Sequence, residues 1–107
     1  MTIALKICSS IQASLKDASM LLITASRMAK AFSLPHGLDI ITLPAVVRMK
    51  GSLTQFRSLR LPLPFNEVSH LRQRIIRETA LVYSPHLVIV DFRPAGVAGE
   101  LLLFSRP

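Results

Sequence analysis

The sequence predicts an α/β domain in which helices flank a parallel sheet. Short apolar runs that suit buried strands alternate along the chain with longer segments of helical period. Proline, glycine and small polar residues mark the passages between them. Strands that alternate with helices favour parallel pairing through right-handed crossovers. At 107 residues, the chain is long enough for one domain at most.

Residues 3–16 have the period of an amphipathic helix. Their apolar residues recur along one helix face, while lysine, serine and glutamine lie elsewhere on the wheel. The predicted stripe consists of Ala4, Ile7, Cys8, Ile11 and Leu15. Because Cys8 lies on this stripe, we expect it to be a small buried hydrophobe rather than a reactive thiol.

Three apolar runs suit strands. They are MLLITAS at 20–26, LDIITL at 38–43 and HLVIVDF at 86–92. A short helical piece, RMAKAF at 27–32, is expected after the first run. Each run is too short for a helix and is closed by small polar residues, proline or a loop.

Residues 45–64 are predicted to be irregular, because Gly51 favours a turn and Pro62 and Pro64 block regular structure. This stretch is also basic, and its cations are Arg48, Lys50, Arg57 and Arg60. Long loops in compact domains are often functional. Two interpretations stay open, a loop that faces a ligand and a solvated connection.

A second helix is predicted from Asn66 to Tyr83, with Asn66 as its N-cap. Its apolar stripe consists of Val68, Leu71, Ile75, Thr79 and Val82. The other faces carry Glu67, His70, Arg72, Arg74, Arg77 and Glu78. We expect this charged surface to be solvated rather than to form a site.

Composition limits the function classes. Thirteen lysines and arginines oppose six acidic residues, and the resulting charge of +7 is spread along the chain, which favours a basic surface over a basic tail. One cysteine and no Cys/His cluster of metal-ligand spacing argue for a reducing, cytoplasmic setting without a metal site. No apolar run is long enough to span a membrane. One tyrosine, no tryptophan and no recognition motif argue against nucleic acid as partner. The basic charge leaves one alternative open, a small basic binding or accessory protein that contacts nucleic acid, an anionic membrane or a separate donor-binding chain.

Several pieces, taken in order, resemble a known family. They are LLITAS, the Pro-x-Gly-x-Asp step at Pro35, Gly37 and Asp39, LPAVVRMKGS, the RxRII core of the second helix, and SPHLVIVDFRPAGVAGEL. This stretch, from about Asp17 to Leu103, resembles the N-terminal domain of predicted bacterial glycosyltransferases. These proteins are relatives of the enzyme that adds N-acetylglucosamine to the lipid-linked peptidoglycan precursor.

The resemblance implies a B-type glycosyltransferase, in which two Rossmann-like domains face a cleft. In that family the N-terminal domain takes the acceptor and the C-terminal domain binds the nucleotide sugar, which is the donor substrate; no cofactor is expected. Residues 1–107 are then an incomplete acceptor-side domain, a partial Rossmann-like parallel sheet that lacks its first strand, and are inactive alone. Expected partners are a sugar or lipid-linked acceptor, a separately encoded donor-binding domain, and the inner membrane face through peripheral contact.

The resemblance also places a candidate acceptor site in the loops that follow the strands. Ser26 and Arg27 follow the first strand, and Asp91, Arg93, Pro94 and Gly96 follow the third. Asp91 could bind or deprotonate an acceptor hydroxyl, or cap nearby backbone amides as a strand-end acid. Arg93 could pair with an acceptor phosphate.

Two further expectations concern titratable residues. Glu100 is expected at the start of a helix, where the dipole favours an acid. No chemistry is assigned to His36, His70 or His86, because they are dispersed and lack a partner pattern.

Overall fold

The computed structural model describes residues 2–25, 34–52, 55–91 and 100–105. Two helices and six strands follow one another along these residues. They are α1 (Thr2–Ser14), β1 (Ser19–Thr24), β2 (Leu38–Thr42), β3 (Val46–Arg48), β4 (Phe56–Ser58), α2 (Phe65–Tyr83), β5 (Leu87–Asp91) and β6 (Glu100–Ser105). The predicted mixture of strands and flanking helices is confirmed, and the predicted helix at 27–32 lies outside the described residues.

The main sheet has four strands in the order β2-β1-β6-β5. Strands β1 and β2 are parallel, with Met20 opposite Leu38. Strand β6 is antiparallel to both of its neighbours, so that Leu102 lies opposite Leu22 on one side and Ile89 on the other. The sheet is therefore mixed, with β1, β2 and β5 running in one direction and β6 in the other, and the predicted parallel sheet is not confirmed.

Strand β6 corrects the prediction that Glu100 begins a helix. Glu100 instead opens a strand whose residues Leu102, Leu103 and Phe104 are all buried. A central strand is covered on both faces, so a continuous apolar run suits it without alternation. The open edges of β1 and β5 satisfy its backbone hydrogen bonds, which a helix at this place would not do.

The two helices cover opposite faces of the sheet. Cys8 of α1 is fully buried in a cluster with Leu22, Leu102 and Phe104, and the expectation that it packs as a hydrophobe is confirmed. On the other face Ile75, Ile76 and Tyr83 of α2 pack against a cluster of Ile23, Leu43 and Leu103. Burying one such leucine or isoleucine contributes about 1.5–3 kcal/mol, so these two clusters hold the three layers together.

Part of the predicted irregular stretch is a hairpin. Strands β3 and β4 pair in antiparallel register, with Val46 opposite Ser58 and Arg48 opposite Phe56. Its turn carries Gly51 at φ +79° and is supported by a 3.0 Å hydrogen bond from the Gln55 amide to Ser52 Oγ. The prediction of irregular structure for the whole of 45–64 is wrong because these three-residue strands have no local apolar pattern and depend on pairing with each other.

Helix α2 begins one residue earlier than predicted. Pro64 is its N-cap, and the Pro64 carbonyl accepts a hydrogen bond of 3.2 Å from the amide of Val68, so the assignment of Asn66 as N-cap is wrong. At the other end Ser84 adopts a left-handed conformation, and its amide bonds the Ala80 carbonyl at 2.9 Å. Pro85 then prevents further helix.

The buried stripe of α2 also differs from the prediction. Val68 is fully buried as expected, but Leu71 is 39% exposed and Val82 is 86% exposed. Arg72, which the sequence placed on the outer surface, is only 8% exposed. The inward face therefore runs through Val68, Arg72, Ile75, Ile76 and Tyr83. Within the described part of the chain, neither helix is long and apolar enough to cross a membrane.

Candidate functional site

The predicted acceptor residues fall mostly outside the described ranges. Asp91 is the last residue of β5, and its backbone lies opposite Glu100 of β6. The other members of the predicted set lie outside the described residues; they are Ser26, Arg27, Arg93, Pro94 and Gly96. Their proposed roles stay predictions.

A cavity of about 310 Å³ lies at the carboxyl ends of the parallel strands β1 and β2. Ala25 follows β1, and the Leu43 amide donates a 2.8 Å hydrogen bond to the Thr24 carbonyl, which keeps the two chains together beyond the strand ends. The lining residues are Ala25, Thr42, Leu43, Pro44, Ala45, Arg60 and Leu61. Parallel α/β sheets usually bind ligands at this edge, and it is the edge where the sequence predicts a site.

Among the described residues, the walls of this cavity are apolar apart from two side chains. Arg60 and Thr42 are its polar side chains, and both are exposed. Sequence reasoning left open whether the basic stretch faces a ligand or only solvent. Arg60 and Leu61 of this stretch line the cavity, and both interpretations stay predictions.

Arg72 supports the cavity wall at Pro44, from the side of α2. Its Nη1 donates a hydrogen bond of 3.0 Å to the carbonyl oxygen of Pro44, one of the lining residues. Burial lowers the pKa of Arg72, because desolvation penalises the charged form. Arginine nevertheless keeps its proton at neutral pH, since its ordinary pKa is so high. A buried positive charge therefore lies next to the cavity wall.

That charge has no acidic counterpart in the described part of the chain. The ion pair on the same helix joins Arg74 to Glu78 at 3.6 Å, on the exposed side. Arg72 is instead bonded to a neutral carbonyl.

Sequence reasoning missed Arg72, although a signal was present. Positions 68, 72, 75, 76 and 79 have the spacing of one helix face, and an arginine within that face indicates a buried charge. The predicted stripe through Leu71 and Val82 contains more apolar residues than this face.

The hairpin contributes further polar groups. Arg48 Nε and Ser58 Oγ are buried with no hydrogen-bond partner in the described residues. Arg57 Nη1 donates to the carbonyl of Ser58 at 3.4 Å. The rings of Phe56 and Phe65 stack with centroids 5.9 Å apart, which fixes the hairpin against the start of α2.

A second concavity, of about 560 Å³, lies between α2 and β1. It is lined by Leu21, Glu78, Thr79, Val82 and Tyr83. Its polar side chains among the described residues are Glu78, Thr79 and Tyr83, and the Tyr83 hydroxyl is hydrogen-bonded to Ser19 Oγ. No group of three or more metal-ligating side chains occurs among the described residues.

The chain matches no known family model, no curated protein and no solved structure. The resemblance to glycosyltransferases therefore rests on the sequence motifs alone. The evidence for a site at the cavity is its position in the fold and its lining residues.

Proposed function

We propose that the chain is the acceptor-binding part of a B-type glycosyltransferase, which transfers a hexosyl group from a nucleotide sugar to an acceptor. The observation that carries this proposal is the order and direction of β2, β1 and β5. All three run the same way, and one strand position separates β1 from β5. In this proposal β2, β1 and β5 correspond to positions 3, 2 and 4 of a Rossmann-like 3-2-1-4 order, and the antiparallel β6 lies at the position of the first strand.

The antiparallel direction of β6 is compatible with this assignment. Without a strand at that position, the edges of β1 and β5 would be unpaired inside the domain, which is costly. Strand β6 pairs with both, and its buried Leu102 and Leu103 pack against the two faces. In this proposal β2, β1 and β5, which run in one direction, take the places of three strands of a Rossmann-like sheet.

The cavity beside β1 and β2 is assigned to the acceptor. Its position at the carboxyl ends of parallel strands supports this role, as does its apolar wall with a cation at the rim. Asp91 ends β5, which runs in the same direction as β1, so it reaches the same edge of the sheet. In this proposal Asp91 accepts a hydrogen bond from the acceptor hydroxyl.

Hexosyl transfer also requires a bound donor. The acceptor oxygen attacks the anomeric carbon while the nucleoside diphosphate leaves, and both groups must be held in line. We assign the donor site to another domain, on the same polypeptide or on a partner chain. The 107-residue chain is then expected to have no transferase activity by itself.

The test is to purify the native gene product from its source cells, weigh it by intact mass spectrometry and assay it with nucleotide hexoses. We expect it to contain or to bind tightly a nucleotide-sugar-binding domain, and to release nucleoside diphosphate when acceptor is added. Turnover by the 107-residue chain alone would overturn the proposal, as would a native product with no donor-binding domain.

A second candidate is an accessory protein that contacts an anionic surface. The observation in its favour is the exposure of Lys50, Arg57 and Arg60 on the hairpin and the segment that follows it, in a chain of charge +7. Co-sedimentation with vesicles at low and high salt tests it. Binding that requires phosphatidylglycerol and is lost at high salt would support this candidate, and equal sedimentation with neutral vesicles would exclude it.

A further inference from the structure

We infer that two copies of the chain pair through the outer edge of β5 and form a closed dimer, in which the sheet runs continuously from one copy into the other. The inference goes beyond the proposed function and does not depend on it. Its basis is a difference between the two edges of the sheet. The edge at β5 offers unpaired backbone groups beside exposed apolar side chains, whereas the edge at β2 is blocked by a carboxylate.

Strand β5 has one open edge, because among the described residues it pairs only with β6. The His86 amide donates a hydrogen bond of 2.9 Å to the Phe104 carbonyl, so Phe104 directs its backbone groups at β5. Leu87 lies opposite Phe104 and therefore faces β6. Because backbone direction alternates along a strand, Val88 and Val90 present their amides and carbonyls to the open edge.

The side chains at this edge are apolar and largely uncovered. Leu87, Val88 and Val90 are 49%, 47% and 60% exposed. Val88 and Val90 lie opposite Leu103 and Leu101 on the α2 face of the sheet, yet α2 leaves them exposed. The strand contains no lysine, proline or bulge, which are features that keep edge strands from pairing. Such an edge suits another β-strand as its occupant.

The opposite edge, at β2, is protected. The amide of Leu43, directly after β2, bonds the Thr24 carbonyl at 2.8 Å, so the odd-numbered residues of this stretch face β1. Ile40 therefore faces the open side, and its amide donates a 2.8 Å hydrogen bond to Asp39 Oδ1. An approaching strand would meet a carboxylate there, so β5 is expected to pair with β5 of a second copy and not with β2. Pairing of like with like closes the assembly as a two-fold dimer, while β5–β2 pairing would continue into a filament.

The outward residues of β5 determine the register of the pair. Antiparallel pairing about a two-fold axis at Ile89 overlaps the whole of β5 and places Val88 of one copy opposite Val90 of the other. Both valines present their backbone groups outward, so each Val88–Val90 pair exchanges both of its hydrogen bonds. The side chains of these pairs meet on one face as β-branched cross-strand neighbours, which stabilise a sheet.

The charge of +7 does not oppose this contact locally, because residues 87–90 are uncharged. The charged residue of β5 is Asp91, its last residue. In the antiparallel register the two Asp91 positions are about 14 Å apart along the strands, which exceeds the Debye length of about 8 Å at physiological salt. Each Asp91 position lies near the His86 end of the other copy, so an acid and a base meet at both ends of the contact.

Sedimentation equilibrium of the 107-residue chain is the first test. Two short strands form an interface smaller than the roughly 1,200 Å² that stable complexes bury in total, so we expect reversible association with a Kd between about 1 and 100 µM. The mass should rise with concentration from that of a monomer to twice that value and no further. A monomeric mass up to about 1 mM would overturn the inference, as would growth beyond the dimer.

A lysine at the open edge tests the location of the contact. Val90→Lys should weaken dimerisation at least about tenfold, because lysine on an edge strand opposes pairing. Thr42→Lys is the matched control, since it adds the same charge at an exposed position of β2 and should change the Kd at most about twofold. Equal weakening by the two variants, or no effect of Val90→Lys, would overturn the assignment to β5.

Hydrogen exchange tests the register in the unchanged chain. The amides of Val88 and Val90 are covered only while two copies are paired, so they exchange through dissociation and stay faster than the amides of β6. Tenfold dilution of a mostly dimeric sample should raise their rates about threefold, because the monomer fraction rises as the square root of the dilution. The amides of Ile40 and Thr42 at the other edge should keep their rates. Rates of Val88 and Val90 that do not depend on concentration would overturn the inference, even if a dimer forms through another surface.

Discussion

Arg72 Nη1 and the carbonyl oxygen of Pro44 are 3.0 Å apart, although the two residues are separated by 28 positions in the chain. This hydrogen bond joins the middle of α2 to the segment that leaves β2. It therefore couples the packing of the helix to the shape of the cavity wall.

We expect Arg72→Ala to lower the free energy of unfolding by about 1–3 kcal/mol, because it removes a charge-assisted hydrogen bond and the packing of the aliphatic stem. Urea unfolding followed by circular dichroism measures this. Arg74→Ala is the control on the exposed side of the helix, where the ion pair with Glu78 is worth no more than about 0.5 kcal/mol. Equal losses in the two variants would contradict the structural role of Arg72.

Gly37 gives a second prediction. It has φ +85°, and a Cβ added there would lie 2.6 Å from the carbonyl oxygen of Ala18, a backbone atom that cannot easily move. Gly51 has φ +79° but nothing within 4 Å of the same position. We expect Gly51→Ala to cost about 1–2 kcal/mol from backbone strain alone, and Gly37→Ala to cost at least about 2 kcal/mol more. Thermal unfolding of both variants checks this difference, and similar melting temperatures would refute the close approach at Ala18.

The elements that the sequence predicted well are those with a local signal. Helical period located α1 and α2 to within two residues at each end, and continuous apolar runs located β1, β2 and β5. Such patterns depend only on neighbouring residues and on whether one face or both faces are buried. They give no information about which strands, distant from each other in sequence, are paired in the sheet.

The features that were missed depend on that pairing. The segment ELLLFS suits a helix start or a strand about equally, and only the vacant position between β1 and β5 decides in favour of a strand. The hairpin strands have three residues each, too few for a period. The sequence prediction put Arg72 on the outer surface because two possible inward faces of α2 differ only by a small rotation about the helix axis. The surface of the sheet on which α2 packs decides which face is buried.

The cavity lies at the edge of the sheet where the sequence predicts a site, and the predicted site residues themselves stay predictions. The carboxyl edge of the parallel strands follows from strand direction, which the alternation of helices and strands indicates. Arg60 and Pro44 reach this edge only through the hairpin and through the hydrogen bond to Arg72. Neither connection has a signature in the local sequence.

Cys8 provides a chemical measure of the contact between α1 and the sheet. Its side chain is fully buried, so a thiol reagent reaches it only when the helix separates from the sheet or the chain unfolds. We expect labelling by Ellman's reagent to be at least about 1,000-fold slower in buffer than in urea. The control is Ser9→Cys in a Cys8→Ala chain, which places the thiol at the neighbouring exposed position. Equally fast labelling of both chains would mean that Cys8 is not covered.

The Phe56 and Phe65 rings connect the hairpin to α2, with centroids 5.9 Å apart and planes at 26°. Phe65 is 40% exposed, so the pair is expected to contribute only modestly. A double-mutant cycle with Phe56→Leu and Phe65→Leu should give a coupling free energy of about 0.5–1.5 kcal/mol. Additive losses would show that the rings do not interact in solution.

The position of β6 predicts a pattern of amide hydrogen exchange. Because β6 is paired on both sides, its amides should exchange only through global unfolding, as should those of β1. Strands β2 and β5 each have one unpaired edge, so alternate amides in them should exchange faster. The measurement is exchange in ²H₂O followed by NMR over hours. If the amides of Leu101, Leu102 and Leu103 exchanged as fast as the exposed amides of β5, β6 would not occupy the centre of the sheet, and the strand order that supports the Rossmann-like assignment would be lost.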